Sequence, residues 1–110
     1  MASKLTTQET LDEIVRRIVE GFAPEKIILF GSHAKGSTGP DSDVDLLVVM
    51  HPGGSRRKKA TEIDLSLVGV NVPIDVIVVT PEELQRDQDR IGTLIRPALK
   101  EGRVLYERAA

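Results

Sequence analysis

Residues 26–50 read KIILFGSHAKGSTGPDSDVDLLVVM, and this pattern decides the fold. The apolar run Ile27-Ile28-Leu29-Phe30 stops at Gly31-Ser32, and a polar stretch rich in glycine, serine and proline follows. A second apolar run, Leu46-Leu47-Val48-Val49, is entered through Asp43-Val44-Asp45. Short unbroken apolar runs bounded by turn residues predict two strands, over 27–30 and 43–50, each buried on both faces. Alternate side chains of a strand share a face, so Asp43 and Asp45 are expected to project together. Two acids at the mouth of an apolar strand repel each other unless something cationic binds between them.

On the N-terminal side, Leu11, Ile14, Val15, Ile18, Val19 and Phe22 recur at spacings of three and four. They predict an amphipathic helix over Thr7–Phe22. Thr6 and Glu9 suit a capping box at its start, and Gly21 with Pro24 suits its stop. On the C-terminal side, His51-Pro52-Gly53-Gly54 reads as a turn. Ser55-Arg56-Arg57-Lys58-Lys59 then opens a helix expected to reach about Val68. Four cations near a helix start oppose its dipole, so the run reads as solvated surface first and as a contact for phosphate or an acidic partner second. A third strand is predicted over 72–79, with Pro73 at its beginning, where a missing N–H is tolerated. Thr80-Pro81-Glu82-Glu83 supplies a cap, a proline and first-turn acids for a helix to about Arg90. Ile91, Leu94, Ile95, Ala98 and Leu99 continue a helical spacing that Pro97 should kink or split. Residues 103–107 read as a final edge strand, on which Tyr106 is a packing residue.

The acids constrain the topology. If Gly31-Ser32 is to meet Asp43, the first two strands are antiparallel neighbours. Asp75 also lies near the start of its strand, so meeting Asp43 and Asp45 requires the third strand to run parallel to the second. Parallel neighbours need a crossover of a dozen or so residues, and 51–72 with its helix supplies one. The expectation is one α/β (α+β) domain over residues 1–110, a small mixed sheet packed with helices. Hydrophobic residues are 40%, charged residues 29% and aromatics 3%, so an aliphatic core is expected. A formal charge of −2 offers no global attraction for nucleic acid, which is not expected as a direct ligand. Without cysteine there is no disulfide, thiolate metal site or thiol nucleophile. No apolar run approaches a membrane span of about 18 residues, and the first residues lack an apolar signal core; a cytoplasmic protein is expected.

Asp43, Asp45 and Asp75 together offer only carboxylate oxygens, which suit Mg²⁺ or Mn²⁺. Two such ions can clamp the attacking and leaving oxygens of a phosphoryl or nucleotidyl transfer. Gly31-Ser32 can bring backbone N–H groups and a hydroxyl to a phosphate, and Lys35 or a protonated His33 can neutralise a triphosphate. No Walker A pattern is present. Each element also has an ordinary reading: Gly-Ser as a turn, Asp-x-Asp as a cap, Asp75 as a strand-end acid. His33 and His51 are read as isolated surface residues.

The joint spacing goes further. Gly31-Ser32, ten residues, then Asp43-Val44-Asp45 resembles the signature of the DNA polymerase β-like nucleotidyltransferase superfamily. The flanks KIILFGS and SDVDLLVV resemble its minimal nucleotidyltransferases, the antitoxin half of HEPN/minimal-nucleotidyltransferase pairs. PIDVIVV holds Asp75 where that family places its last carboxylate. The resemblance implies ATP with two Mg²⁺ ions, Gly31, Ser32 and Lys35 on the nucleotide, and Asp43, Asp45 and Asp75 as metal ligands and catalytic acids. It implies AMP transfer to a hydroxyl, in this family a tyrosine of a cognate HEPN ribonuclease toxin. His33 departs from the arginine of the family's GSRARG pattern, which weakens the expected triphosphate grip. Two other readings stay open: a catalytically idle module that neutralises its partner by binding, and a small-molecule nucleotidyltransferase, against which stands the lack of room for a second domain. A homo-oligomer is compatible with all three.

Overall fold

The computed structural model describes residues 7–30, 44–70, 72–88 and 102–109. In chain order the elements are α1 (Thr7–Phe22), β1 (Lys26–Phe30), β2 (Val44–Val49), α2 (Arg56–Ser66), β3 (Ile74–Val79), α3 (Pro81–Asp87) and β4 (Arg103–Glu107). The strands form one sheet in the order β3-β2-β1-β4. β1 is antiparallel to β2, and β2 is parallel to β3 through the α2 crossover, as the acid positions require. β4 pairs antiparallel with β1 and closes the other edge.

The two faces of the sheet carry different helices. Ile27 and Leu29 of β1, Val44, Leu46 and Val48 of β2, and Val78 of β3 bury one face under Leu11, Ile14 and Ile18 of α1 and Ile63 of α2. The expected stripe of α1 is the packed one, with Val15, Val19 and Phe22 half-buried along its margin. Ile28, Leu47, Val49 and Val79 line the opposite face, which meets Phe30, Ile77 and Leu84 of α3. Both faces of β1 and β2 are therefore covered, which is why their sequence is continuously apolar.

Several boundaries differ from the expected ones for local reasons. α1 keeps its expected bounds, Thr7–Phe22, with Phe22 packed on the core. Ala23 takes a left-handed φ of 48° while its N–H still bonds Val19 O at 3.1 Å. Pro24 disfavours the right-handed helical conformation in the residue before it. α2 begins at Arg56 with Ser55 as its cap and ends at Ser66, short of Val68. β3 starts at Ile74 rather than at 72, since Pro73 has no N–H to donate; its carbonyl accepts the Val44 N–H at 2.8 Å. α3 is described to Asp87. The Thr6 cap, the 91–100 helix and the Pro97 kink lie outside the described residues.

β4 carries a bulge. Ile27 pairs with Tyr106 but Ile28 pairs with Val104, so Leu105 is the extra residue. The extra residue lets Leu105 and Tyr106 both pack on the α1 side, leaving Val104 half exposed on the other. Among the described residues no helix is long and apolar enough to cross a membrane.

Candidate active site

The site is built at the end of the sheet where β1 leaves and where β2 and β3 enter. Asp45 is in register with Phe30 on its antiparallel side and with Asp75 on its parallel side. Residues in register on neighbouring strands share a face, and neighbouring strands lie roughly 4.8 Å apart. Asp45 and Asp75 therefore belong to the same face as Leu47, Ile77 and Phe30, the face under α3. Asp45 lies on an interior strand and is half-buried; Asp75 lies on the outer strand and is exposed.

This placement depends on the crossover. α2 carries the chain back from the end of β2 to its beginning, so that Asp75 enters beside Asp45 and not at the far end of the sheet. Ile63, fully buried, and Leu67 hold α2 against β2 and β3. At the far end two contacts fix the return from β3 into α3. His51 Nε2 is 2.8 Å from Glu82 Oε1, and Arg56 Nη2 is 2.8 Å from Glu83 Oε1. The capping box is complete: the Glu83 N–H donates to Thr80 Oγ1 at 3.1 Å, and the Thr80 N–H donates to Glu83 Oε1 at 2.9 Å. The Glu82 carboxyl is held below its usual range by its own backbone N–H and then by His51; Glu83 is held down by the Thr80 backbone and then by Arg56.

Of the six site residues read from the sequence, Asp45 and Asp75 fall among the described residues and are brought together. Gly31, Ser32, Lys35 and Asp43, like His33, lie outside them. Among the described residues no group of three acids or histidines has metal-site geometry. Two acids in register repel, and a cation bound between them would relieve that repulsion. An oxygen-only donor set fits a hard divalent ion. Three features escaped the sequence reading. His51 is exposed as expected but not isolated, since it grips Glu82. Arg56 and Lys59 of the basic run pair with Glu83 and Glu62, whereas Arg57 and Lys58 stay exposed. Asp87 is buried and holds Arg86 in a two-pronged contact, both arms 2.9 Å; its three-residue spacing from the inward-facing Leu84 was the available signal.

Residues 9–106 match the family described as "Nucleotidyltransferase domain". A Methanocaldococcus jannaschii protein named "Putative protein adenylyltransferase MJ1305" is 35% identical over 107 residues, covering 89% of this chain and 70% of that protein. Among solved structures, a nucleotidyltransferase described as "putative" from Sulfolobus solfataricus superposes with a TM-score of 0.59 at 22% identity, covering 98% of this chain and 93% of the other. A chain of the Shewanella oneidensis complex between a tri-AMPylated HEPN toxin and MNT antitoxin superposes with a TM-score of 0.53 at 17% identity, covering 94% and 74%. The four-stranded mixed sheet with its helices is thus the polymerase β-like nucleotidyltransferase fold.

Proposed function

This chain belongs to the nucleotidyltransferase domain family, and from that premise we propose that it moves AMP from ATP to a hydroxyl of a protein acceptor. The acceptor is a tyrosine of a HEPN-type ribonuclease toxin, which the modification silences, and the cytoplasm is the setting. The observation that carries the reading is the register of Asp45 with Asp75 on parallel strands at the mouth of the sheet. The 35% identity to a protein described as an adenylyltransferase and the likeness to a chain of a HEPN–MNT complex support the acceptor class.

Asp45 and Asp75, with Asp43, would hold Mg²⁺ or Mn²⁺, which when bound neutralises triphosphate charge and stabilises the pyrophosphate leaving group. Gly31 and Ser32 offer N–H groups and a hydroxyl to the phosphates, and Lys35 adds a cation. The acceptor hydroxyl oxygen bonds to the α-phosphorus, and the bond from that phosphorus to the bridging oxygen of pyrophosphate breaks. The hydroxyl proton passes to an Asp75 carboxylate oxygen and from there to solvent. Asp75 suits this role because it is the exposed member of the pair.

The test is incubation with Mg²⁺, ATP labelled at the α-phosphate and the product of the neighbouring gene. Label is expected on an acceptor tyrosine, and Asp43→Asn, Asp45→Asn and Asp75→Asn should each abolish it. A stable complex without transfer would replace the enzyme by a binding module. Label on a small hydroxylated compound alone would remove the protein acceptor. Millimolar Mg²⁺-ATP should raise the melting temperature of the wild type, by up to roughly 2.7 kcal/mol of stabilisation at a hundredfold excess over Kd.

A further inference from the structure

β3 is an outer strand of the sheet, and part of its outer edge lies open beside the site. Two bonds at its ends fix where its backbone groups point. The Val44 N–H donates to Pro73 O at 2.8 Å, and the Met50 N–H donates to Val79 O at 2.9 Å. In a parallel ladder the residues that bond the neighbouring strand alternate. Asp75 and Ile77 therefore turn their N–H and C=O toward β2, whereas Ile74, Val76 and Val78 turn theirs outward. No strand among the described residues pairs with that outer side. Burial divides the edge. Val78 and Val79 are buried, whereas Ile74, Val76 and Ile77 are half-buried and Asp75 is exposed. The open part is thus the part that flanks Asp75.

The two edges of the sheet differ. β4 is broken by its bulge, a device that blunts an edge. β3 runs in unbroken register with β2 from Ile74 to Val79, and its one charged side chain is Asp75 itself. An edge of this kind is a template for extended backbone, because only main chain offers N–H and C=O groups at strand spacing.

We propose that the open edge of β3 takes up the protein acceptor by strand addition, as an extended segment that carries the reacting hydroxyl. In antiparallel addition Ile74 and Val76 exchange backbone bonds with the segment. Asp75 spends its own backbone groups on β2, so the residue opposite it forms the non-hydrogen-bonded kind of pair, with Cα atoms roughly 4.5 Å apart. Paired residues share a face, so that residue stands on the face that carries Asp45 and Asp75. A tyrosine there carries its hydroxyl over the acids without any change in the sheet. Main-chain bonds supply the affinity, and the register places the hydroxyl.

This docking edge rests on the protein-acceptor reading, and the test separates the two. Amide hydrogen exchange, resolved residue by residue by NMR, is measured on this chain alone and with the product of the neighbouring gene. The N–H groups of Ile74 and Val76 should exchange ~10-fold or more slowly in the complex. Val76→Pro removes one outward donor and spares the β2–β3 ladder, in which that N–H takes no part. It should weaken Kd for the gene product by ~10-fold or more, whereas Val76→Ala, which keeps the N–H, should not. Both variants should keep the Mg²⁺-ATP melting shift. A complex that leaves the two amides unprotected, or no complex at all, overturns the docking edge. Protection that appears in this chain alone and grows with its concentration assigns the edge to a second copy and overturns it too. Protection in a complex that transfers no AMP leaves the edge standing and removes the catalytic reading.

Discussion

At the scale of residues, the pairing of Asp45 with Asp75 is the decisive observation. Facing like charges across a strand pair is unfavourable by a few tenths of a kcal/mol or more. Asp75→Asn should therefore raise the melting temperature of the metal-free protein slightly while abolishing the gain from Mg²⁺-ATP. Differential scanning fluorimetry with and without Mg²⁺-ATP reads both. A second residue contributes to acid stability. Hydrogen bonds from Arg16 first and Arg17 second hold the Glu13 carboxyl down at about 2, from 4.5. A folded-state value below the unfolded one means that the contribution is full above the unfolded value and lost as pH falls through the folded one. The window is thus pH 4.5 down to about 2. Glu13→Gln should flatten the fall of melting temperature across that window and change little at pH 7 in the slope with pH. The acids were legible in the sequence because strand alternation and spacing are local. The Glu13–Arg17–Val68 chain was not, since it joins α1 to a turn 51 residues away.

At the scale of elements, helix ends carry the testable energetics. The capping box of α3 was readable from Thr80-Pro81-Glu82-Glu83, because every participant is within three residues. Thr80→Ala should cost ~1 kcal/mol in urea denaturation. The end of α1 at Phe22 was readable from the apolar stripe, which runs past Gly21. Phe22 does pack, and the left-handed turn falls on Ala23. A non-glycine residue there costs roughly 1–2 kcal/mol. Ala23→Gly should stabilise by a fraction of that, since glycine also loses more entropy on folding. The bulge in β4 had no signal in the chain. Leu105 and Tyr106 alternate like any strand pair, and only docking on α1 turns both toward one face.

At the scale of the whole molecule, the crossover helix is the part on which the site depends. Ile63 is its one fully buried side chain, wedged between the helix and the sheet. Ile63→Ala should cost ~2–5 kcal/mol, a large share of the roughly 5–15 kcal/mol available to a domain of this size. It should also weaken the Mg²⁺-ATP melting shift, because β3 and Asp75 would lose their support; equilibrium unfolding and the shift assay together check it. By itself the sequence determined which of the described segments are strands and helices, since apolar periodicity and capping chemistry are short-range. It also determined that β3 must run parallel to β2, because three acids at strand starts admit few arrangements. The tertiary structure alone decided which acids share a register, which face of the sheet they occupy, and that Leu65 and Val68 stay uncovered. Those properties arise from packing between segments far apart in the chain, where no local pattern constrains the outcome.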